Sequence, residues 1–332
     1  MKRQFTWILP VMAFFLTVLG LFHAKSHAAG NKIKILATTF PIFQITRNVV
    51  QGHEAVEVAL MLPSQLGCPH DYALSPQDIQ KLLTADVMVV NGLGMEEFLG
   101  TPLKNANPAL KIIDTSDGIK DVLKYASQNE ESGYHDPEKE DHRHVKPEGA
   151  AEDARHHHAG SNPHLYTSPR RVSLLAMKIA EGLSMIDPAG RDLYSKNAKS
   201  YSETMNALAY EFTELGGRLK NNRIVTQHGV FDYLAEDMGL TIVAVMQPHA
   251  GQEPSAAEML EIVKNIREKN AGAIFTEPQY PDKIGRTIAG ETGIPSAVLD
   301  PAATGPDNAP LDYYERVMRK NLETLKKTLG IR

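Results

Sequence analysis

The segment KIKILATTFPIFQITRNVVQG, residues 32–52, begins as a short apolar strand and continues through a turn into a helical pattern. Two more apolar runs follow, VEVALML at residues 56–62 and ADVMVVNG at residues 85–92, and the helical pattern SPQDIQKLL lies between them. Short apolar strands that alternate with helices are typical of βαβ units, whose strands form a largely parallel sheet. We therefore predict an α/β lobe in the first part of the chain.

The same alternation returns near the end of the chain. The predicted strands there are RIVTQ at 223–227, TIVAVM at 241–246, AGAIFT at 271–276 and SAVLD at 296–300. Between the two regions, apolar residues at helical spacing predict one helix over 191–220, roughly 45 Å long at 1.5 Å per residue. The predicted fold class is α/β, with two Rossmann-like lobes of mainly parallel sheets joined by this long rigid helix. The predicted domains are an N-terminal lobe at 31–190, the linking helix at 191–220 and a C-terminal lobe at 221–332.

The composition of the 332 residues excludes several classes of protein. The formal net charge of -5, from 35 basic and 40 acidic residues, argues against a nucleic-acid-binding protein, which usually has a basic excess. A single cysteine excludes an intramolecular disulfide framework and a multi-cysteine metal site. The 13 histidines are the one unusual feature of the composition.

The N-terminus has the pattern of a secretory signal peptide. Lys2 and Arg3 precede a mainly apolar run from Phe5 to Phe22, and small residues follow up to Ala29. The run is short for a membrane span. We predict a signal peptide at residues 1–28, cleaved near Ala28, and an exported, periplasmic protein.

A polar segment interrupts the N-terminal lobe at residues 134–160. It is acidic, has almost no apolar residue, and so cannot build a core. We predict a mobile loop whose histidines bind metal only weakly, because ordering a flexible chain around each partial site costs about 1–2 kcal/mol per residue fixed. These auxiliary residues are His135, His142, His144, His156, His157 and His158.

Two histidines occur in nearly repeated motifs. PHDYALSP at 69–76 and PHLYTSP at 163–169 share Pro-His-x-Tyr followed by Ser-Pro. Serine suits the N-cap of a helix and proline suits its first position, so each Ser-Pro pair predicts a helix start. The motifs thus place His70 and His164 on equivalent loops that lead into helices.

Further histidine and acidic side chains follow predicted strands. His228 follows the strand at 223–227, Glu277 follows the strand at 271–276, and Asp300 ends the strand at 296–300; His70 lies a short loop beyond the strand at 56–62. In open α/β sheets, ligands bind beyond the carboxyl ends of the strands. Imidazole nitrogen and carboxylate oxygen both bind Zn(II), and a set of three histidines and one carboxylate favours zinc over magnesium or calcium. From the residues alone, the carboxylate is either Asp300 or Glu277.

Together these residues resemble a known family, the zinc and manganese receptors of bacterial ABC importers, and most closely its zinc-specific periplasmic members. The resemblance covers essentially the whole chain after the signal peptide. It rests on PHDYALSPQDIQKL with ADVMVVNGLGMEEFL, and on NPHLYTSPRRV, QHGVFDYLAEDMGL, FTEPQY and VLDP. The resemblance implies that His70, His164, His228 and Asp300 hold the metal. Histidine at position 228 is similar to the zinc branch of the family, whereas glutamate there is typical of the manganese branch.

The resemblance implies a monomeric receptor, not an enzyme, that captures Zn(II) between its lobes and delivers it to the membrane permease of an ABC importer. The first alternative is a manganese or iron receptor of the same family. A secreted zinc-dependent hydrolase is the second alternative. The sequence speaks against the hydrolase, because it contains no HExxH motif, no Gly-x-Ser-x-Gly elbow and no P-loop.

Overall fold

Two four-stranded parallel sheets form the frame of the protein. The structure is a computed structural model, and it describes residues 32–67, 69, 72–100, 107–124, 160–247 and 253–332. The strands of the first sheet are β1 (Ile33–Ala37), β2 (Val56–Leu60), β3 (Val87–Val90) and β4 (Lys111–Asp114), and their spatial order is β2-β1-β3-β4. The strands of the second sheet are β5 (Arg223–Thr226), β6 (Thr241–Val245), β7 (Ala273–Thr276) and β8 (Ser296–Val298), in the order β6-β5-β7-β8.

The two sheets have the same topology. In each sheet the second strand in the sequence lies on one side of the first strand, and the third and fourth strands lie on the other side. The reversal falls between β1 and β3 in the first sheet and between β5 and β7 in the second, and all neighbouring strands are parallel. A crevice forms outside the carboxyl ends of the strands at such a reversal, and ligands of doubly wound folds bind there. The predicted pair of parallel α/β lobes is confirmed.

Eight helices in the described part of the chain accompany the strands. They are α1 (Phe40–Val49), α2 (Pro76–Thr84), α3 (Pro169–Ile186), α4 (Arg191–Arg218), α5 (Asp232–Met238), α6 (Ala256–Glu268), α7 (Lys283–Thr292) and α8 (Tyr313–Leu329).

Both predicted Ser-Pro helix starts are confirmed. Helix α2 begins at Pro76, and the Ser75 side chain accepts a hydrogen bond from the backbone N–H of Asp78. Helix α3 begins at Pro169, and Ser168 caps it in the same way through the N–H of Arg171. Each cap satisfies a backbone donor that the first helical turn leaves unpaired.

The hydrophobic core runs without a break from the first sheet to the second. It includes Ile35 of β1, Phe275 of β7 and the fully buried side chains of Tyr194 and Phe212 on α4. Alternate residues of the strands, such as Leu36 of β1, belong to smaller clusters. Each sheet is therefore packed on both faces, as parallel sheets require, and Ile33–Arg332 forms one compact unit.

Helix α4 is the long helix that the sequence predicts. Its 28 residues pack along α3 and also contact α1, α5 and α8. Near its C-terminal end Gly216 is required, because a Cβ at this position would lie 2.0 Å from the carbonyl oxygen of Met238 in α5. The backbones of the two helices therefore approach more closely than any side chain would allow.

Several predicted features lie outside the described residues. They are the signal peptide at 1–28, His70, and the auxiliary histidines His135, His142, His144, His156, His157 and His158. Within the part of the chain that the structure covers, no helix combines the length and the apolar character needed to cross a bilayer.

Candidate metal centre

Four of the five candidate ligands are described, and three of them follow the ends of strands that the sequence predicts. His228 lies two residues beyond β5, Glu277 directly follows β7, and Asp300 lies two residues beyond β8. His164 immediately precedes a 3-10 turn at Leu165–Thr167 that leads into α3. Because β5 and β7 are paired neighbours, with Thr226 opposite Phe275, the fold brings positions 228 and 277 side by side at the chain reversal of the second sheet.

His228 and Glu277 form a buried pair. The Nδ1 atom of His228 lies 2.5 Å from Oε1 of Glu277, and the two residues are 4% and 1% exposed. A carboxylate can only accept a hydrogen bond, so Nδ1 carries a proton, and in the neutral imidazole Nε2 then carries the electron pair that a metal needs. This Nε2 is buried and has no hydrogen-bond partner within the described ranges. A buried nitrogen of this kind fits a metal ligand whose tautomer is fixed by a hydrogen bond at the other ring nitrogen.

Both carboxylate oxygens of Glu277 are engaged by side chains. Oε1 faces His228, and Oε2 accepts a 2.7 Å hydrogen bond from Nε2 of Gln279. The backbone N–H of Glu277 donates to Oε1 of Gln227, 2.8 Å away, which fixes the residue further. The geometry therefore suits Glu277 to orienting His228.

His164 is fully buried and faces His228. The centroids of the two imidazole rings are 5.5 Å apart, and the rings are nearly perpendicular at 84°. On the other side of the His164 ring, Nδ1 lies 2.8 Å from Oδ1 of Asn162. The structure thus brings together two histidines that are 64 positions apart in the sequence.

Asp300 is held mainly through its backbone. Its N–H donates to Oδ1 of Asn321 at 3.0 Å, its carbonyl accepts from Nδ2 of the same residue at 2.7 Å, and its Oδ1 accepts from the N–H of Ala302 at 2.8 Å. Burial raises the pKa of the Asp300 carboxyl, and the negative charge of Glu277 raises it further. A nearby metal cation would favour the ionised form that this environment disfavours.

The described candidates do not by themselves complete a metal site. Among the residues that the structure covers, no three His, Cys, Asp or Glu side chains are grouped closely enough to hold a metal ion. The structure brings together His164, His228 and Glu277, and Asp300 lies within electrostatic reach of Glu277. The position of His70, the remaining histidine of the predicted set, stays a prediction.

Two asparagines that support the site were missed by the sequence analysis. Asn162 contacts His164, and Asn91 at the end of β3 donates from Nδ2 to the carbonyl oxygen of Pro163, 2.8 Å away. Asn162 stands two residues before the histidine in the motif NPH, which was the only available signal. Asn91 had none, because its partner lies in a distant loop.

Glu96 anchors the backbone of Asn91 through its side chain. Its carboxylate accepts from the N–H groups of Asn91 and Gly92 and from the hydroxyl of Thr38, at 2.7, 3.0 and 2.7 Å. Burial raises the pKa of Glu96 to about 7, although these hydrogen bonds oppose the shift. The folded protein therefore holds a proton on Glu96 more tightly than the unfolded chain does.

We expect this group to make stability depend on pH. Because the folded-state pKa is raised, the contribution of Glu96 is present at low pH and is lost as the pH rises through about 7. The Glu96→Gln variant has no carboxyl at this position and so lacks this loss of stability. The Tm of the variant relative to the Tm of the wild type should therefore increase between about pH 5 and about pH 8. Thermal melts of both metal-free proteins measure the difference, and a Tm difference that is constant over this range would contradict the expectation.

Comparison with known proteins shows the family. Residues 35–328 match the model of the family described as zinc-uptake complex component A, periplasmic, and the chain belongs to this family. Over 302 residues it is 30% identical to the zinc-binding lipoprotein AdcA of Streptococcus pneumoniae, a match that covers 90% of the chain but only 56% of that relative. It is 26% identical to the high-affinity zinc uptake system protein ZnuA of Bacillus subtilis, with 100% of both chains covered.

A solved structure confirms the fold. A Zn(II)-bound mutant variant of AdcAII from Streptococcus pneumoniae superposes with a TM-score of 0.72 at 24% sequence identity, covering 91% of this chain and 100% of that one. The chain spans little more than half the length of the AdcA relative.

Proposed function

We propose that the protein captures Zn(II) in the periplasm, between its two lobes, and delivers it to the membrane permease of an ABC importer. The observation that carries the proposal is the pair of buried, mutually facing imidazoles of His164 and His228, each with Nδ1 engaged by another side chain. A hydrogen bond from Nδ1 of a neutral imidazole places the ring electron pair on Nε2, the atom that would bind a metal. Membership of the zinc-uptake family and the names of the AdcA and ZnuA relatives support zinc as the cargo.

The proposed ligands are His70, His164, His228 and Asp300. Asp300 is preferred to Glu277 because both oxygens of Glu277 are already engaged, by His228 and Gln279. Three imidazoles with one carboxylate make a closed tetrahedral set typical of zinc, whereas manganese prefers a larger share of oxygen ligands. A closed set also leaves no open position for a substrate, so we propose a receptor and not an enzyme. We propose in addition that the receptor is a monomer.

The proposed mature chain starts after residue 28, and it consists of lobes at 31–190 and 221–332 with the linking helix at 191–220. In this arrangement the histidines of residues 134–160 collect zinc weakly and stand apart from the tight site. The permease, the monomeric state and the leader cleavage belong to the proposal and are to be tested with it.

The decisive experiment is a zinc titration of the mature protein beside a variant that lacks residues 134–160. We expect one tight zinc equivalent in both proteins and additional weak equivalents only in the intact one, because the tight ligands lie outside the deleted segment. Competition with a chelator measures the affinity, and elemental analysis measures the metal content. Loss of the tight site on deletion would contradict the separation of the two classes of site.

The same titration tests the choice of metal. Manganese or iron bound more tightly than zinc, in matched competition, would replace zinc as the proposed cargo. Absence of any tight metal equivalent would overturn the receptor proposal itself.

A further inference from the structure

The side chain of Asn162 joins the two loops that carry histidines. It is fully buried, and its carboxamide makes four contacts. Oδ1 faces the N–H and the Nδ1 of His164, at 3.0 and 2.8 Å, while Nδ2 donates to the carbonyl oxygen of Gly229 at 2.8 Å and to a carboxylate oxygen of Asp232 at 2.5 Å. Gly229 directly follows His228, so one amide touches the surroundings of both candidate ligands.

The contacts of Asn162 determine which ring nitrogen of a neutral His164 carries the proton. The carbonyl oxygen of Gly229 can only accept a hydrogen bond, so the amide nitrogen of Asn162 must face it and the amide oxygen must face His164. The backbone N–H of His164, a donor, also points to this oxygen. An acceptor at Oδ1 requires a proton on Nδ1, and the neutral ring then carries its electron pair on Nε2.

Other contacts fasten the same loops without using the Asn162 side chain. The hydroxyl of Tyr233 donates to the backbone carbonyl of Asn162 at 2.7 Å, and Oγ1 of Thr167 donates to the carbonyl of Val230 at 3.0 Å. The loops therefore keep their backbone anchors when the amide is removed. This separates what the amide does for the histidine ring from what the backbone does for the fold.

We propose that Asn162 is a positioning residue for zinc capture. It holds the neutral ring of His164 in the Nδ1-protonated tautomer, which places the electron pair on Nε2, and it ties the His164 loop to the loop of His228 so that both rings meet the ion together. The inference rests on the proposed function. It differs from the arrangement at His228, where a carboxylate, Glu277, holds the ring.

The test compares Asn162→Ala and Asn162→Asp with Asn197→Ala in the full chain. Asn197 is the matched control, since its Nδ2 also donates to two backbone carbonyls, of Val49 and Gln51 at 3.0 and 2.8 Å, but makes no hydrogen bond to the loops of His164 and His228 among the described residues. The introduced aspartate can still accept from His164 but can donate neither to Gly229 nor to Asp232. We expect both Asn162 variants to bind zinc roughly 10–100-fold more weakly and the Asn197 variant to bind as the wild type does.

A second readout needs no zinc. In the metal-free wild type, the ring nitrogens of His164 should show the Nδ1-protonated tautomer by nitrogen NMR. Asn162→Ala should give a mixture of tautomers, while Asn162→Asp should keep the wild-type form. Thermal melts establish that each variant is folded.

The outcomes separate the inference from the function on which it rests. A wild type with one tight zinc and an Asn162→Ala variant within about twofold of it would overturn the role of Asn162 alone, and so would an equal loss in Asn197→Ala, which would indicate a general effect of stability. A wild type without tight zinc would overturn the proposed function. The NMR measurement would then still decide the tautomer, and an Nε2-protonated ring would refute the assignment.

Discussion

Replacing His228 by alanine should remove tight zinc binding. Structural zinc sites contribute about 10–16 kcal/mol in total, so one of four ligands corresponds to about 3–4 kcal/mol, or roughly 100–1000-fold in affinity. The buried Nε2 of His228, without a partner in the described residues, makes this residue the most clearly presented ligand. Chelator competition against the wild type measures the loss.

The same substitution also affects the fold. It leaves Glu277 buried without its imidazole partner, and losing a hydrogen bond to a charged group typically costs about 1.5–3 kcal/mol. We therefore expect a lower Tm for His228→Ala in the absence of metal. The double variant His228→Ala with Glu277→Gln should recover much of this stability and none of the zinc affinity. Recovery of zinc binding in the double variant would show that stability, not ligation, explained the single variant.

The second large effect is expected for Asp300→Asn. The amide lacks the charge that a carboxylate offers to Zn(II), so we expect a loss of zinc affinity of roughly 100-fold or more. Stability of the metal-free protein at neutral pH should not fall. The amide oxygen can still accept from the N–H of Ala302, and burial raises the pKa of Asp300, so the ionised form is disfavoured in the folded state.

Matched variants decide which carboxylate binds the metal. Asp282→Asn makes the same chemical change at an exposed residue that pairs with Arg286, and it should leave zinc affinity unchanged. Glu277→Gln should weaken binding less than Asp300→Asn, because it alters only the support of His228. Intact zinc binding in Asp300→Asn, together with loss in Glu277→Gln, would assign the ligand role to Glu277.

The strands and the long helix could be predicted because their signals are local. Apolar runs gave the strands, the Ser-Pro pairs gave the starts of α2 and α3, and the apolar period gave α4 to within two residues of its end. The strand ends in turn gave the positions of His228, Glu277 and Asp300. All of these follow from the order of residues along the chain.

The residues alone left the choice between Asp300 and Glu277 open, because the contacts of these carboxylates depend on which strands become neighbours. Strands β5 and β7 are adjacent although β6 lies between them in the sequence, and this pairing sets Glu277 against His228. The contact of Asn162 with Gly229 likewise joins residues that only the folded chain brings together. The place of His70 and of the histidines at 134–160 remains a prediction from the sequence.

The unbroken core described above has a consequence for how such a protein can be altered. The core consists of apolar side chains, whereas His164, His228 and Glu277 are buried polar side chains at its border, and the ring of His164 contacts Tyr166 of the core. Exchanging a ligand together with the side chain that orients it, as for His228 with Glu277, should change the donor atoms and leave no buried charge without its partner. We expect paired substitutions of this kind, made on a frame of two sheets that share one core, to be the route by which the metal preference of such a protein can be changed.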